Sequence, residues 1–159
     1  MAEPEREIQY LPIEQDDIDH LTSLMAIAFD ADAQKFLGQL NAGPEGYNDG
    51  RFLRKWALED SHSLAFKICL HSKPVGAFIV WWEPEGESRL GNIFLAPTHQ
   101  NQGIGSVAWR FIEQSFPTRR WRLGTPVWNT KNHFFYEKKC GFRRLYTSGS
   151  CVVFEKNYV

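Results

Sequence analysis

The sequence predicts an α/β fold: a mixed, mostly antiparallel sheet of six to seven strands with one parallel βαβ crossover, in a single domain over residues 1–159. Three observations predict it. Apolar periodicity alternates along the chain between two and 3.6, so strands and helices both occur. Three strand patterns follow one another across very short turns between residues 63 and 96, which implies antiparallel pairing. A strand, a helix and a strand then succeed each other between residues 89 and 128, the order of a right-handed crossover.

Each element has its own local cause. "EIQYLPI", ending at Ile13, reads as the first strand. Asp16, Asp17 and Asp19 stand at the positive end of a helix whose apolar series is Ile18, Leu21, Met25, Ala28 and Phe29. Residues 30–50, with "NAGPEGYNDG", read as a loop, and a short helix follows over Arg51 to Leu58. "SLAFKICL" alternates cleanly, with Leu64, Phe66, Ile68 and Leu70 on one face. "HSKP" and "EPEGES" turn it into "VGAFIVWW" and then "RLGNIFLA". Ile104, Val107, Ala108, Phe111 and Ile112 form a core-facing helical stripe. "WRLGTPVW" is a strand and "TKNHFFYEKKC" a helix stopped by Gly141. Phe142 to Tyr146 and Val152 to Tyr158 close the chain as a hairpin.

Composition narrows the function classes. Apolar residues make up 43% and aromatic residues 14%, enough for a real core. The longest apolar run, Val75 to Trp82, is too short to span a bilayer, and the acidic start "MAEPEREIQY" has no signal-peptide apolar stretch. Three widely spaced cysteines suggest reduced thiols in a cytoplasmic protein, with no metal site. A net charge of −1 gives no case for nucleic acid, and nothing calls for a membrane. The charge is uneven: residues 1–109 carry −8 and residues 110–159 carry +7.

The stretch "QNQGIGSVAWRFI", from Gln100 to Ile112, sets two glycines at the mouth of a helix. Unpaired N–H groups point outward there, and glycine lets an anion approach them closely. A Walker A lysine is missing, and Ala108 breaks the dinucleotide-binding fingerprint.

"IFLAPTHQNQGIG" followed, after one more strand, by "WNTKNHFFYEKKCGF" resembles the GNAT superfamily of N-acyltransferases. The resemblance is strongest from Leu90 to Phe142. It implies a sheet with helices on both faces and acetyl-CoA as co-substrate, without a metal. Gln100, Gly103 and Gly105 match the family's pyrophosphate turn, so the backbone around Asn101, Gln102, Ile104 and Ser106 is expected to cradle the cofactor. Leu95 matches the strand position that pairs with the pantetheine arm. Asn129 matches a cofactor-contacting asparagine, and Tyr136 matches both a cofactor contact and the general acid toward the departing thiolate. The family's acceptor pocket corresponds to the loop from Asp30 to Asp49, with Phe29, Tyr47 and Trp82 as candidate lining residues. The implied acceptor is a primary amine of a small molecule or peptide. By analogy the domain is compatible with a homodimer.

Two departures from the pattern stand out. Gly141 follows Tyr136 by five residues where the family has four, so the chain needs a bulge or a wider turn there, or else Phe135 takes the phenol's place. Many relatives carry a glutamate base four residues before Leu95, and here that position is Gly91. The remaining candidates are Asn92, to hold water, and Glu83, Glu85 or Glu87 as carboxylates, although a solvated turn is the simpler reading of the three. His99 and His133 neighbour the motifs, with surface imidazoles the simpler reading of both.

Magnitudes show why a missing base is tolerable. Neutralising a lysine-type amine at pH 7 costs roughly 4.6 kcal/mol, and an α-amine only about 1 kcal/mol. Positioning two reactants supplies ~7–11 kcal/mol. Direct attack by a held amine is therefore the expected chemistry, and a non-catalytic acyl-CoA-binding module is the alternative.

Overall fold

Among the described residues seven strands form: β1 (Ile8–Pro12), β2 (Ser63–Leu70), β3 (Lys73–Trp81), β4 (Glu87–Leu95), β5 (Arg120–Pro126), β6 (Arg143–Ser148) and β7 (Cys151–Asn157). The structure is a computed structural model and describes residues 7–158. The strands make one sheet in the order β1-β2-β3-β4-β5-β7-β6. All neighbours are antiparallel except β4 and β5, which are parallel and joined by the crossover helix. The β2–β3 turn is tight, and His71 (φ 51°) and Ser72 (φ 68°) both adopt left-handed backbone, as a two-residue hairpin turn requires.

Helices cover both faces. The first helix, α1 (Ile18–Leu37), buries Ile18, Leu21 and Met25 against Ala77, Ile79 and Phe94. It runs well past the expected loop boundary at residue 30. Ala31, Ala33, Gln34 and Lys35 are good helix formers, Ala33 is fully buried, and the helix stops where Gly38 turns left-handed at φ 68°. A short α2 (Arg51–Leu53) continues as a π-helical turn through Glu59 and adds Leu53 to the same face.

The opposite face carries α3 (Ile104–Ser115) and α4 (Thr130–Phe134). Ile104, Ala108, Trp109 and Ile112 of α3 meet Phe78, Val80, Leu90 and Trp121 in the larger core. The Trp109 ring lies edge-on to Trp121 and tilted against Phe142. Trp81 and Trp82 part to opposite faces as strand alternation demands: Trp81 meets Trp56, and Trp82 meets Phe116.

The feature that positions everything else lies in β4. It pairs with β5 only at Glu87–Arg120, Ser88–Trp121 and Arg89–Arg122. Immediately beyond, its register with β3 slips: Val80 faces Leu90 and Ile79 faces Asn92, so Gly91 is the extra residue of a bulge. A bulge bends its strand and sharpens the twist. Past it, β4 and β5 diverge. A side chain at Gly91 would overlap the Trp81 ring, whose Cη2 lies 2.9 Å from an ideal Cβ position. Trp81 is in turn held by its indole N–H, which donates to Asp60 at 3.2 Å.

Gly91→Ala should therefore destabilise the fold by roughly 1–3 kcal/mol through overpacking, read from the urea midpoint. Combining it with Trp81→Leu should cost less than the sum of the two single changes.

Candidate active site

Where β4 leaves β5, a cleft of about 710 Å³ opens through the sheet. Leu90–Leu95 form one wall and Leu123–Pro126 the other. Ala28, Phe29 and Asp32 of α1, with Gly43 and Phe52, close it on one face; Gly103, Gly105, Ser106 and the α4 segment close it on the other. Ala96 N–H bonds back to Val75 O at 2.8 Å, so by alternation Leu95 and Ile93 direct their backbone groups away from β3 and into the cleft. Leu95 thus presents its strand edge where the sequence expected an extended ligand. Its carbonyl already accepts from Gln100 Nε2 at 2.9 Å.

The glycine turn forms the mouth. Pro97–His99 make one 3₁₀ turn, Asn101 is left-handed at φ 61°, and Gly103 precedes the helix at φ 82°. No side chain caps α3, and its first intrahelical bond is Val107 N–H to Gly103 O at 3.1 Å. The amides of Ile104, Gly105 and Ser106 are left at the positive end of the helix. Gln100, Asn101, Gly103, Gly105 and Ser106 line the cleft. The side chains of the other two turn residues do not: Gln102 Nε2 donates to Thr98 O, and Ile104 is core. Any contribution from them to a ligand runs through their backbone.

The five-residue spacing after Tyr136 has a physical resolution. The chain widens into a π-helical turn over Phe135–Lys139. Cys140 N–H reaches Phe135 O at 3.1 Å, and Phe142 N–H reaches Tyr136 O at 2.9 Å. The extra residue is absorbed there, Tyr136 keeps its place in the cleft, and Phe135 fills a separate position against Gly105. Tyr136 is 7% exposed and wedged among Phe135, Phe142 and Phe154. Among the described residues its hydroxyl has no hydrogen-bond partner. Burial, with a smaller contribution from Cys140, pushes the phenol well above its ordinary value. It is a protonated donor at neutral pH.

Asn129 is buried at the N-cap of α4, its side chain accepting from Asn132 N–H at 3.1 Å. Its Nδ2 donates to Asp32 Oδ2 at 3.0 Å. Lys131 Nζ meets Asp32 Oδ1 at 2.6 Å and Gln100 Oε1 at 3.2 Å. Asp32 is the single carboxylate among the described residues lining the cleft, and Lys131 and Lys139 are its cations. Neither Asp32 nor its link to Lys131 was anticipated as part of the site. A signal existed: Asp32 stands seven residues after Met25 and three after Phe29, on the apolar stripe of α1.

Several expected residues fall elsewhere. Glu83 lies on the exposed β3–β4 turn outside the cleft, its backbone bonded to Ser88 and Thr118. On the same turn, Glu85 pairs with Arg119 and Glu87, at the start of β4, with Arg122. Trp82 is on the α3 face, donating to Pro117 O at 2.8 Å. Tyr47 stands behind the wall, under Gly43, donating to Asp30 Oδ1 at 2.6 Å. Phe29 does line the cleft, as does Asn92, whose Oδ1 is buried without a partner among the described residues. His133 is no surface imidazole: it is 7% exposed, its Nε2 bonded to Pro126 O at 2.9 Å. His99 is half-buried beside Thr98, outside the cleft. Among the described residues no set of His, Cys, Asp and Glu converges as a metal site, and no helix is long and apolar enough to cross a membrane.

A sheet split between its parallel strands, with a glycine-rich helix mouth on one side and a phenol on the other, defines an acyltransferase-type architecture. Residues 21–142 match the acetyltransferase (GNAT) family, and the chain belongs to that family. YrkN of Bacillus subtilis (strain 168) is 33% identical over 82 residues, which are 50% of this chain and 44% of that protein, so the match spans less than half of its relative's length. An acetyltransferase from Thermus thermophilus superposes with a TM-score of 0.75 at 19% identity, covering 95% of this chain and 97% of that one. The PaiA N-acetyltransferase of Thermoplasma acidophilum, solved with coenzyme A, gives 0.72 at 17% identity, covering 96% and 99%. The ribosomal-protein-S18-alanine N-acetyltransferase of Escherichia coli gives 0.70 at 15% identity, covering 94% and 93%. At these identities the likeness is one of fold.

The Tyr47 hydroxyl is pushed up to about 12 by burial first and Asp30 second. Its contribution to stability is complete below pH 10 and lost as pH rises through about 12. Tyr47→Phe should lower stability at pH 7 by about 1–2 kcal/mol and flatten part of the alkaline limb of a stability–pH profile, the rest belonging to phenols such as Tyr10.

Proposed function

We propose that this chain is an N-acetyltransferase that transfers the acetyl group of acetyl-CoA to a primary amine of a small molecule or peptide. The carrying observation is Tyr136: a buried phenol with no partner among the described residues, facing a cleft whose far end is a row of uncapped helix amides. The residues present fit the cofactor. Free amides at Ile104 to Ser106 suit a diphosphate, Gly103 and Gly105 leave it room, and the strand edge at Ile93 and Leu95, where only the Leu95 carbonyl is taken, by Gln100, suits an extended amide-bearing arm. Acetyl-CoA supplies the thioester carbonyl; the chain supplies placement.

In this reading the amine enters from the α1 face, past Phe29 and Asp32, and the cofactor enters from the α3 face. A strand amide near Leu95 polarises the carbonyl, and Tyr136 donates to the departing sulfur. Its raised pKa makes it a hydrogen-bond donor to developing charge, because outright proton loss to a thiolate near 8.5 is uphill. Asn92, with its free acceptor, holds water for the proton leaving the amine. With the usual carboxylate position closed by Trp81 over Gly91, low-pKa amines are the favoured acceptors. That same closure is what supports the second reading, a non-catalytic acyl-CoA-binding module.

Release of CoA thiol from acetyl-CoA across an amine panel separates the two: turnover supports the enzyme, and a CoA-induced rise in Tm without turnover supports the module. Tyr136→Phe should lower kcat/KM roughly 10²-fold while leaving the Kd for CoA within about twofold. An unchanged rate would remove the phenol from the chemistry.

A further inference from the structure

The Asp32 carboxylate is held by two donors of different kinds. Asn129, neutral and fixed as a helix cap, takes Oδ2. Lys131, charged and on a flexible stem, takes Oδ1. The Asp32 side chain is 15% exposed and that of Lys131 32%. Lys131 also donates to Gln100, the first residue of the glycine turn, so one ammonium ties Asp32 of α1 to that turn. We propose that Lys131 is handed from Asp32 to the diphosphate of the bound cofactor, which strips Asp32 of its counter-ion and presents a bare carboxylate to the ammonium of the acceptor.

The handoff follows from charge. A diphosphate at the α3 mouth carries more negative charge than one carboxylate, and Lys131 reaches it by a rotation of its stem. Asn129 stays in place and keeps Asp32 oriented. The freed Oδ1 then lies in a partly buried site beside Phe29, where an unpaired carboxylate is costly until a cation arrives. Before the cofactor binds, Lys131 itself occupies the acceptor's position and keeps cationic amines out. The acceptor class this selects is an amine that arrives as its ammonium ion and gives up the proton at small cost, as an α-amine does. The proposal rests on the acyl-CoA reading of the cleft.

Calorimetric titration of CoA into four proteins tests it: wild type, Asp32→Asn, Lys131→Met and the double variant. Removing the Asp32 charge frees Lys131 in advance, so Asp32→Asn should bind CoA roughly three- to tenfold more tightly than wild type. Lys131→Met should bind more weakly and with a shallower salt dependence. The double variant should match Lys131→Met, since the gain from Asp32→Asn passes through that lysine. A crystal structure with CoA should place Lys131 Nζ on a phosphate oxygen and off Asp32. Unchanged or weakened CoA binding in Asp32→Asn, or Lys131 still on Asp32 in the CoA complex, overturns the handoff. If wild type itself has no affinity for CoA, the acyl-CoA reading falls instead.

Discussion

The parting of β4 from β5 is the constraint on which the rest of the molecule depends. Three residue pairs join these strands, and then each goes its own way. A fully paired ladder would consume every backbone donor and acceptor in the middle of the sheet. Divergence leaves those of Ile93 and Leu95 unclaimed by a strand, in a place where unpaired backbone groups are expensive. Gln100 satisfies one of them from its side chain. The others define a strand-shaped vacancy between two halves of one sheet. Because the gap passes through the sheet, it is reached from both faces by different helices. In the proposed reaction, the two reactants would then meet in its centre without sharing an entrance.

The bulge at Gly91 links this gap to the chemistry. It sits one residue beyond Leu90, where the parallel pairing has just ended, and Trp81 lies over it. The same glycine that bends the strand also leaves no carboxylate at the position where the family resemblance placed one. Charge in the cleft is instead concentrated in the Asp32–Lys131 pair, supported by Asn129 and Gln100. The strongly basic C-terminal stretch contributes less to the cleft than its composition implied. Arg120, Arg122 and Arg143 converge on Glu155, which is 3% exposed, and Arg144 turns to Glu137. Those cations largely neutralise a buried acid on the far strands.

Much of this was legible in the sequence because its causes are local. Strand alternation in "SLAFKICL", the apolar stripe from Ile104 to Ile112 and the glycines at the helix mouth each specify their own element. The family pattern added the pairing of Gly103 with Tyr136 across the chain. What escaped notice was relational. Asp32 looked like one more acid in a polar loop because the Gly- and Pro-rich segment after it drew the helix boundary too early. Only when α1 continues to Leu37 does that carboxylate turn toward Lys131, 99 residues away. Glu83, Tyr47 and Trp82 neighbour the motifs in sequence, but where a side chain ends up depends on the face of the sheet or loop that it leaves. His133 looked peripheral because the carbonyl that receives it, on Pro126, lies at the end of a strand whose splay could not be read in one dimension.

The widened coil between Phe135 and Lys139 has a consequence for how such chains are compared. It spans the same stretch of space as an ordinary helical turn while holding one more residue, so chain length and spatial position fall out of step there. Counting backward from Gly141 by the family interval of four lands on Glu137, one residue past the phenol. Counting forward from Asn129 lands on the phenol. A local insertion can thus be absorbed as girth, leaving the groups on either side where they were.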